Sequence, residues 1–402
     1  MKYIVVVPDG MADQPLEELG NRTPLEAAHT TNMDYLASHG CCGIVTTIPK
    51  GMPPGSDIGN LALLGYDPRE HFSGRAPLEA ANLKIELAED QIAVRCNFVT
   101  VEKQKMLDYS AGHISTKEAS ILIEALNDEL EDEHVRFYSG KSYRHILVMR
   151  VRKIDEFLKI KCTPPHDILG KDITKYLPRG KQSEMLLKLM ESSKKILENH
   201  SVNTVRIDLK ENPANMVWLW GQGVKPNLPL FSEKFGVNGG IISAVDLVNG
   251  LGRLAGLEVI NVPGITGYYD TNYHGKAEYA LKALETKDFV FIHIEAPDEA
   301  GHNGDIKAKI SAIEHIDREI IGAILNRFNE NDDVRILVLP DHPTPVKLRT
   351  HTSDPVGFVL FGKGIHPDGS TQYHEKAVKD SKLRFESGEA LMNYFIKGNI
   401  FE

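Results

Sequence analysis

Residues 289–294 read FVFIHI, an almost unbroken apolar run. A run that does not alternate polar and apolar residues is typical of a strand buried on both faces of a parallel sheet. Similar runs recur along the chain: YIVVV (3–7), GIVTT (43–47), TVRIDL (204–209), LEVINV (257–262), RILVLP (335–340) and VGFVLF (356–361). Amphipathic helical stretches separate several of them, as at 243–256, 275–286 and 308–328. The sequence therefore predicts an α/β fold with a doubly wound, mostly parallel sheet.

The middle of the chain follows a different pattern. Two strand-like segments, 91–100 and 145–151, flank a helix with apolar residues along one face. The residues suited to chemistry lie before position 80 and after position 270, on both sides of this block. We therefore predict a smaller α+β domain over 82–199, inserted into a core domain formed by 1–81 and 200–402.

Composition narrows the class of protein. The 402 residues include 46 basic and 56 acidic side chains, a formal net charge of −10. This balance argues against a non-specific nucleic-acid or membrane-surface partner, although a local metal site could still attract an anionic substrate. With four cysteines and no CxxC pair, neither a disulfide framework nor a zinc ribbon is expected. No apolar run reaches the roughly 18 residues of a membrane span, and the run at 3–7 is too short for a signal peptide, so we expect a cytoplasmic protein. Its oligomeric state stays open.

Four short segments place acidic, hydroxyl or imidazole groups near the ends of apolar runs. They supply Asp9 in VPDG, Ser56 in PPGSDIGN, Asp298 and His302 in EAPDEAGH, and Asp341, His342 and His351 in PDHPTPVKLRTH. Ligands of open parallel sheets bind outside the carboxyl ends of the strands, so segments far apart in sequence can converge there. Asp298 and His302 are four residues apart, a spacing that puts both on one face of a helical turn.

Each segment alone has an ordinary structural explanation. Asp9 suits a turn, Ser56 suits the N-cap of the following helix, and the acidic and imidazole groups suit solvated or hydrogen-bonded loops. Together they suit two divalent cations and a hydroxyl nucleophile, the arrangement that clamps the attacking and leaving oxygens of a phosphoryl transfer.

The motifs VPDG, GSDIGN, EVINVPGITGYYDTNYHGKA, EAPDEAGH and PDHPTP…THTSDPVGFVL resemble those of the alkaline phosphatase superfamily. They are most similar to the archaeal-type branch of the cofactor-independent phosphoglycerate mutases, and the resemblance covers nearly the whole chain. It implies an alkaline-phosphatase-like core and two divalent metal ions, usually manganese, with zinc, cobalt and magnesium as alternatives. It assigns one metal to Asp298, His302 and His351, and the other to Asp9, Ser56, Asp341 and His342. Ser56 is also the phosphorylated nucleophile.

The same resemblance implies residues that bind the substrate. Lys276 matches a phosphate-binding lysine, Arg75 matches an arginine near the substrate, and the inserted domain supplies Arg144, His145, His166 and Asp167. A solvated lysine and surface ion pairs are the alternatives for the basic residues. Cations of this kind would neutralise the phosphate and carboxylate of a phosphoglycerate.

Three functions are compatible with these motifs. The first is a mutase that interconverts 3-phosphoglycerate and 2-phosphoglycerate through phospho-Ser56, without 2,3-bisphosphoglycerate. The second keeps the site but changes the acceptor, as in a homoserine kinase or a phosphatase. The third is a non-catalytic metal-binding protein, against which the presence of Ser56 argues. The metal ligands do not separate the first two.

Overall fold

The computed structural model describes residues 1–398, which form two compact units. The larger unit takes in Met1–Phe72 and the chain from Asn227 onward, and the smaller unit is Ser73–Pro226. The strands are β1 (Lys2–Pro8), β2 (Cys41–Val45), β3 (Gln91–Glu102), β4 (Lys105–Asp108), β5 (Val135–Tyr138), β6 (Arg144–Arg150), β7 (Met216–Gly223), β8 (Gly239–Ile242), β9 (Glu258–Val259), β10 (Phe289–Ile294), β11 (Val334–Val338), β12 (Val356–Gly362) and β13 (Arg384–Phe385).

The α-helices are α1 (Pro24–Ala27), α2 (Thr31–His39), α3 (Ser56–Leu63), α4 (Pro68–His71), α5 (Arg75–Asn82), α6 (Thr116–Leu130), α7 (Ile154–Leu158), α8 (Ser183–Leu197), α9 (Ser201–Asp208), α10 (Phe231–Phe235), α11 (Asp246–Leu254), α12 (Tyr273–Ala283), α13 (Ala296–Asn303), α14 (Ile306–His315), α15 (Gly322–Arg327), α16 (Glu375–Val378) and α17 (Gly388–Lys397). Short 3-10 turns lie at Glu17–Leu19, Pro165–Ile168 and Ile173–Lys175, and a π-helical turn, Ile316–Ile321, joins α14 to α15. Within residues 1–398, no helix has the length and apolar character needed to cross a membrane.

The larger unit is built on an eight-stranded sheet in the order β13-β2-β12-β11-β1-β10-β8-β9. Strand β12 runs antiparallel to its two neighbours, and the other pairs are parallel. The consecutive residues Ile4, Val5, Val6 and Val7 of the central strand are all fully buried, so both faces of the sheet are covered. The predicted α/β fold with a mostly parallel sheet is confirmed. Because β1, β10 and β11 are parallel neighbours, the loops that follow them leave the same edge.

Most of the predicted strands are present, with shifted bounds. The runs at 3–7, 289–294, 335–340 and 356–361 correspond to β1, β10, β11 and β12. The run at 43–47 overlaps β2, and only two residues of the run at 257–262 form a strand, β9.

The strand predicted at 204–209 is wrong, because these residues belong largely to helix α9. Its apolar side chains face solvent: Val205 is 56% exposed and Leu209 is 66% exposed. The buried face of the helix carries Arg206 instead, whose guanidinium lies 3.0 Å from the carboxylate of Glu118. The apolar run predicted that these side chains are buried in a strand. In the helix they are exposed instead, because the buried face holds the paired arginine.

The smaller unit is an α+β structure. Its five-stranded antiparallel sheet has the order β4-β3-β6-β5, with β7 paired to β3. Apolar residues of α6 and α8 pack in one buried cluster with this sheet, and Ala76 and Ala80 of α5 pack against Ile146 and Val148 of β6. The predicted boundaries at 82 and 199 fall inside this unit, because α5 precedes the first boundary and β7 follows the second.

Candidate active site

The residues predicted as metal ligands meet at one edge of the larger sheet. Asp9 directly follows β1, Asp298 lies in the first turn of α13 just after β10, and Asp341 follows β11. Ser56 begins α3, and His351 lies in the loop before β12. The parallel register of the three central strands brings their loops together, as expected for a ligand site of an open parallel sheet.

The Ser56 hydroxyl faces two of these groups. Its Oγ lies 3.1 Å from Oδ2 of Asp9 and 3.2 Å from Nε2 of His342. The sequence suggested that Ser56 caps the helix, but Gly55 occupies the N-cap position and Ser56 is the first helical residue. The hydroxyl is therefore directed at the carboxylate and imidazole groups, at the positive end of the α3 dipole.

Asp298, His302 and His351 form the second group. Nε2 of His302 lies 2.9 Å from Nε2 of His351, and these nitrogens are 3.3 and 3.4 Å from the Asp298 carboxylate. Nδ1 of His302 is 3.1 Å from the carbonyl oxygen of Arg349, which can only accept a hydrogen bond. In the neutral ring, Nδ1 therefore carries the proton and Nε2 keeps the lone pair that a metal requires.

Thr344 fixes the position of the ring proton of His342 in the same way. Its hydroxyl donates to Oδ1 of Asp298, so its oxygen is left to accept from Nδ1 of His342, 3.3 Å away. Nε2 of His342 consequently presents its lone pair toward Ser56 and toward Oδ1 of Asp9, 3.5 Å away.

Backbone and amide groups hold Asp341 in place. Its Oδ1 accepts from the backbone N–H groups of Gly10 and His342, at 3.2 and 3.0 Å, and its Oδ2 accepts from the Asn60 side chain at 2.8 Å. Gly10 has a positive φ of 61°, and a Cβ there would lie within 2.6 Å of the Asp298 carboxylate. A side chain at Gly59 would meet the backbone oxygen of Asp341 at 2.7 Å. The two glycines thus permit the close approach of the loops and α3.

The buried carboxylates of this cluster favour the binding of cations. Burial raises the pKa of Asp9 well above its usual value, and the nearby Asp341, Glu295 and Asp298 carboxylates raise it further. Within residues 1–398, Oδ1 of Asp9 and Oε2 of Glu295 are buried without a hydrogen-bond partner. One ligand atom from each member of two groups lies within 4.8 Å of the others: Asp298, His342 and His351, and Asp9, His293 and Asp341. These oxygen and nitrogen donors suit divalent cations.

Lys276 lies beside this cluster rather than in solvent. It projects from α12, is fully buried, and its Nζ donates to the carbonyl oxygen of His293. Burial lowers the pKa of Lys276 to about 7, and the Glu295 carboxylate opposes this shift. The solvated-lysine explanation is therefore wrong.

In the smaller unit, the predicted substrate residues separate into two groups. Side chains alternate across a strand, so Arg144 shares a face of β6 with Ile146, whereas His145 faces the opposite side. His145 is 1% exposed, its Nδ1 accepts from the Gly140 N–H at 3.0 Å, and its ring packs against Phe98. Burial lowers the pKa of His145 to about 3.

The other group surrounds Arg95, which the sequence reasoning missed. The Arg95 guanidinium stacks 4.0 Å from the centre of the Trp220 ring and lies 3.0 Å from the Glu79 carboxylate. Burial lowers the pKa of Arg95; the Glu79 carboxylate opposes that shift, and the positive charges of Arg75 and Arg144 reinforce it. The surface pair His166 and Asp167 adjoins this group, since the His166 ring lies 5.5 Å from Trp220 and 3.7 Å from the Asp167 carboxylate.

Comparison with known proteins identifies the family. A sequence profile described as 2,3-bisphosphoglycerate-independent phosphoglycerate mutase matches residues 37–203. A protein of that name from Methanosarcina acetivorans is 50% identical over 399 residues, which cover 99% of this chain and 100% of the relative. The chain belongs to this family.

Solved structures agree with this family in fold. A protein from Pyrococcus horikoshii superposes with a TM-score of 0.84 at 30% identity, covering 100% of this chain and 99% of that one. The cofactor-independent phosphoglycerate mutase of Thermoplasma acidophilum gives a TM-score of 0.67 at 29% identity, covering 99% of each chain.

Within this member of the family, the structure adds residues that the motifs did not single out. His293 and Glu295 flank the end of β10, and Nε2 of His293 lies 2.9 Å from Oδ2 of Asp9. Asn60 and Thr344 hold Asp341 and Asp298, as described above. One signal was available: a histidine inside a strand that is otherwise wholly apolar needs a buried partner. The hydroxyl and amide groups sit in short loops and helix turns, where their sequence context is ordinary.

Proposed function

We propose that this protein is a phosphoglycerate mutase that moves the phosphoryl group between the 3- and 2-hydroxyls of glycerate by way of phospho-Ser56. The observation that carries the proposal is the position of the Ser56 hydroxyl. It lies at the start of α3, within 3.2 Å of both Asp9 and His342, beside the buried oxygen of Asp9 that has no partner within residues 1–398. A serine held only for helix capping would not need these neighbours.

We propose two divalent-metal sites at this edge, with manganese as the usual occupant. Asp298, His302 and His351 would hold one ion, and Asp9, Ser56, Asp341 and His342 would hold the other. His342 is also close enough to Asp298 and His351 to share a ligand group with them. Bound ions would lower the pKa of the serine hydroxyl and stabilise the charge on the transferring phosphoryl group.

The chain's own groups then account for the proton and phosphoryl transfers. Ser56 gives its proton to Oδ2 of the neighbouring Asp9 and forms an Oγ–P bond, while the bond from phosphorus to the glycerate oxygen breaks. The departing oxygen takes up a proton. The other glycerate hydroxyl then loses a proton, attacks the phosphorus of phospho-Ser56, and restores the serine. The buried Lys276 would contribute positive charge near the phosphoryl group when it is protonated.

The smaller unit offers a second place for an anionic group. We propose that Arg75, Arg95 and Arg144 form an anion-binding cluster of the smaller unit, with His166 and Asp167 at the rim. Burial lowers the pKa of Arg95 and the charges of the nearby Arg75 and Arg144 lower it further, and guanidinium groups this close together favour an added anion. His145 faces the opposite side of β6, where its ring packs against Phe98 and its Nε2 is buried without a hydrogen-bond partner within residues 1–398. We propose a cytoplasmic location, in keeping with the class of reaction.

An enolase-coupled assay tests the proposal. The chelator-treated protein is reloaded with Mn²⁺ and given 3-phosphoglycerate, and 2-phosphoglycerate formation is followed with and without 2,3-bisphosphoglycerate. We expect equal activity in both arms, loss of activity with the chelator, and none in Ser56→Ala. Parallel arms measure transfer from ATP to homoserine and release of inorganic phosphate. Robust activity in either of these arms, with none on 3-phosphoglycerate, would contradict a mutase.

A further inference from the structure

His293 links Asp9 to a neighbouring strand through its two ring nitrogens. The side chain is fully buried near the end of β10. Its Nε2 lies 2.9 Å from Oδ2 of Asp9, and its Nδ1 lies 3.2 Å from Oγ of Ser243. Ser243 directly follows β8, the parallel neighbour of β10. The three residues thus form a buried chain of hydrogen bonds across the sheet edge.

The two hydrogen-bond partners of His293 determine which ring nitrogen carries the proton. The backbone N–H of Val245 donates to Oγ of Ser243 at 3.0 Å. The Ser243 hydroxyl can also donate its own hydrogen to Nδ1 of His293. The ionised Asp9 carboxylate has no hydrogen to donate, so the proton between it and His293 lies on Nε2 and is donated to Oδ2 of Asp9.

This arrangement leaves the two oxygens of Asp9 in different states. Oδ2 accepts from His293 and, at 3.1 Å, from Ser56. Oδ1 is buried without a hydrogen-bond partner within residues 1–398, and it lies 3.5 Å from Nε2 of His342. The carboxylate is therefore oriented so that its one unsatisfied oxygen points to the proposed metal ligands.

We propose that Ser243 and His293 act as a pair of positioning residues that fix the orientation of Asp9 for metal binding. This inference rests on the metal site of the proposed function. It differs from the simplest interpretation of the distances, in which His293 joins Asp9 and Asp341 as a direct ligand. A ring nitrogen that carries a proton has no lone pair for a metal, so a proton on Nε2 excludes direct ligation by that nitrogen. Partners of this kind typically change metal affinity by about 10- to 100-fold when removed.

The test measures Mn²⁺ affinity by competition with a fluorescent chelator, using the full-length protein. Three variants are compared with the wild type: Ser243→Ala removes the donor to Nδ1, His293→Leu removes the whole link, and His293→Gln keeps an N–H donor. Ser38→Ala, an exposed serine of α2, is the matched control. Far-UV circular dichroism verifies that each variant is folded.

We expect about 10- to 100-fold weaker Mn²⁺ binding for His293→Leu, a smaller loss for Ser243→Ala and His293→Gln, and wild-type affinity for Ser38→Ala. Wild-type affinity in folded Ser243→Ala and His293→Leu would overturn the inference. So would equal, complete loss in His293→Leu and His293→Gln together with wild-type affinity in Ser243→Ala, because that pattern marks a direct ligand. If the wild type itself binds no Mn²⁺, the metal site of the proposed function fails instead.

A second measurement does not depend on the variants folding. Nitrogen-15 NMR of the wild type loaded with the diamagnetic ion Mg²⁺, with His293→Gln used for assignment, reports which nitrogen of His293 is protonated. If that variant does not fold, assignment comes from coupling of the ring proton to its own residue. A proton on Nε2 supports the inference, and a proton on Nδ1 overturns it whatever the affinities show.

Discussion

Lys309 offers a quantitative test of how the loops around the site are held. It is fully buried on α14, and its Nζ lies 2.7 Å from the Asp13 carboxylate and 2.8 Å from the carbonyl oxygen of Thr344. Asp13 lies in the segment after β1, and Thr344 lies in the loop after β11. The ammonium group thus ties together two segments that carry metal-site residues, and it is the charge partner of a buried carboxylate.

Replacing Lys309 with methionine keeps an unbranched side chain of similar length but leaves Asp13 buried without its cation. Breaking a buried ion pair in this way typically costs about 3–5 kcal/mol, because the remaining charge is uncompensated. The backbone N–H groups of Gln14 and Val346, which also donate to Asp13 at 2.8 and 3.1 Å, favour the lower half of that range. The double variant Lys309→Met, Asp13→Leu should recover much of the loss, because an apolar pair of similar volume is often neutral.

Urea unfolding measures these changes. Both tryptophans, Trp218 and Trp220, lie in the smaller unit, so far-UV circular dichroism is the appropriate probe for the larger one. Lys307→Met, an exposed lysine of the same helix, should change the free energy of unfolding by no more than about 0.5 kcal/mol. A loss below about 1 kcal/mol in Lys309→Met, or a double variant less stable than the single one, would refute this reasoning.

The remaining predictions concern chemistry and pH. Ser56→Ala should lower turnover by several orders of magnitude while changing the free energy of unfolding by less than about 1 kcal/mol, because its hydroxyl does not cap α3. A larger loss of stability would indicate a structural serine. Chelation should abolish activity and Mn²⁺ should restore it, whereas full activity of verified metal-free protein would exclude the metal sites. Burial holds the pKa of His145 near 3, below its usual 6.5. Between pH 6.5 and pH 3, His145 therefore binds a proton in the unfolded chain but not in the folded unit. The free energy of unfolding should fall as the pH falls through this window, by up to about 1.4 kcal/mol per pH unit. Tryptophan fluorescence should show this slope in the wild type, and His145→Asn, which keeps an acceptor for the Gly140 N–H, should flatten it.

The strands that position the site were predictable because they are buried on both faces. The run YIVVV leaves no polar side to the strand, and β10 and β11 have the same character, so their burial and the shared edge followed from general rules. The run at 204–209 looked the same in sequence, but its environment is different. The surroundings of Arg206 distinguish this half-exposed helix from a buried strand: its guanidinium pairs with the nearby Glu211 and with Glu118, which is far away in the chain.

The site was predictable to the level of its motif residues. Asp9, Asp298 and Asp341 follow strands in an obvious way, and the spacing of Asp298 and His302 fits one helical face. The supporting residues were not predictable, because their roles depend on contacts between distant segments. Ser243 and His293, for example, are 50 positions apart and meet only because β8 and β10 are neighbours.

The different environments of Arg144 and His145 could not be seen in the sequence. The adjacent residues Arg144 and His145 looked like one substrate-binding motif, yet on a strand they face opposite sides. Conversely, Arg95 was overlooked in the apolar strand QIAVRCNFVTVE, where a single arginine among buried residues must find a partner. Glu79 and Trp220 provide that partner only in the folded unit.

The central claim is that Ser56 carries the phosphoryl group during turnover. The Mn²⁺-loaded protein is mixed with 3-phosphoglycerate, quenched in acid within milliseconds, digested and analysed by mass spectrometry, with Ser56→Ala treated in the same way. We predict a phosphoryl adduct on the peptide that contains Ser56 in the wild type, formed and lost at rates that support turnover, and no adduct in the variant. Active wild-type protein that shows no adduct at any quench time, or carries it on another residue, would contradict the phosphoserine route.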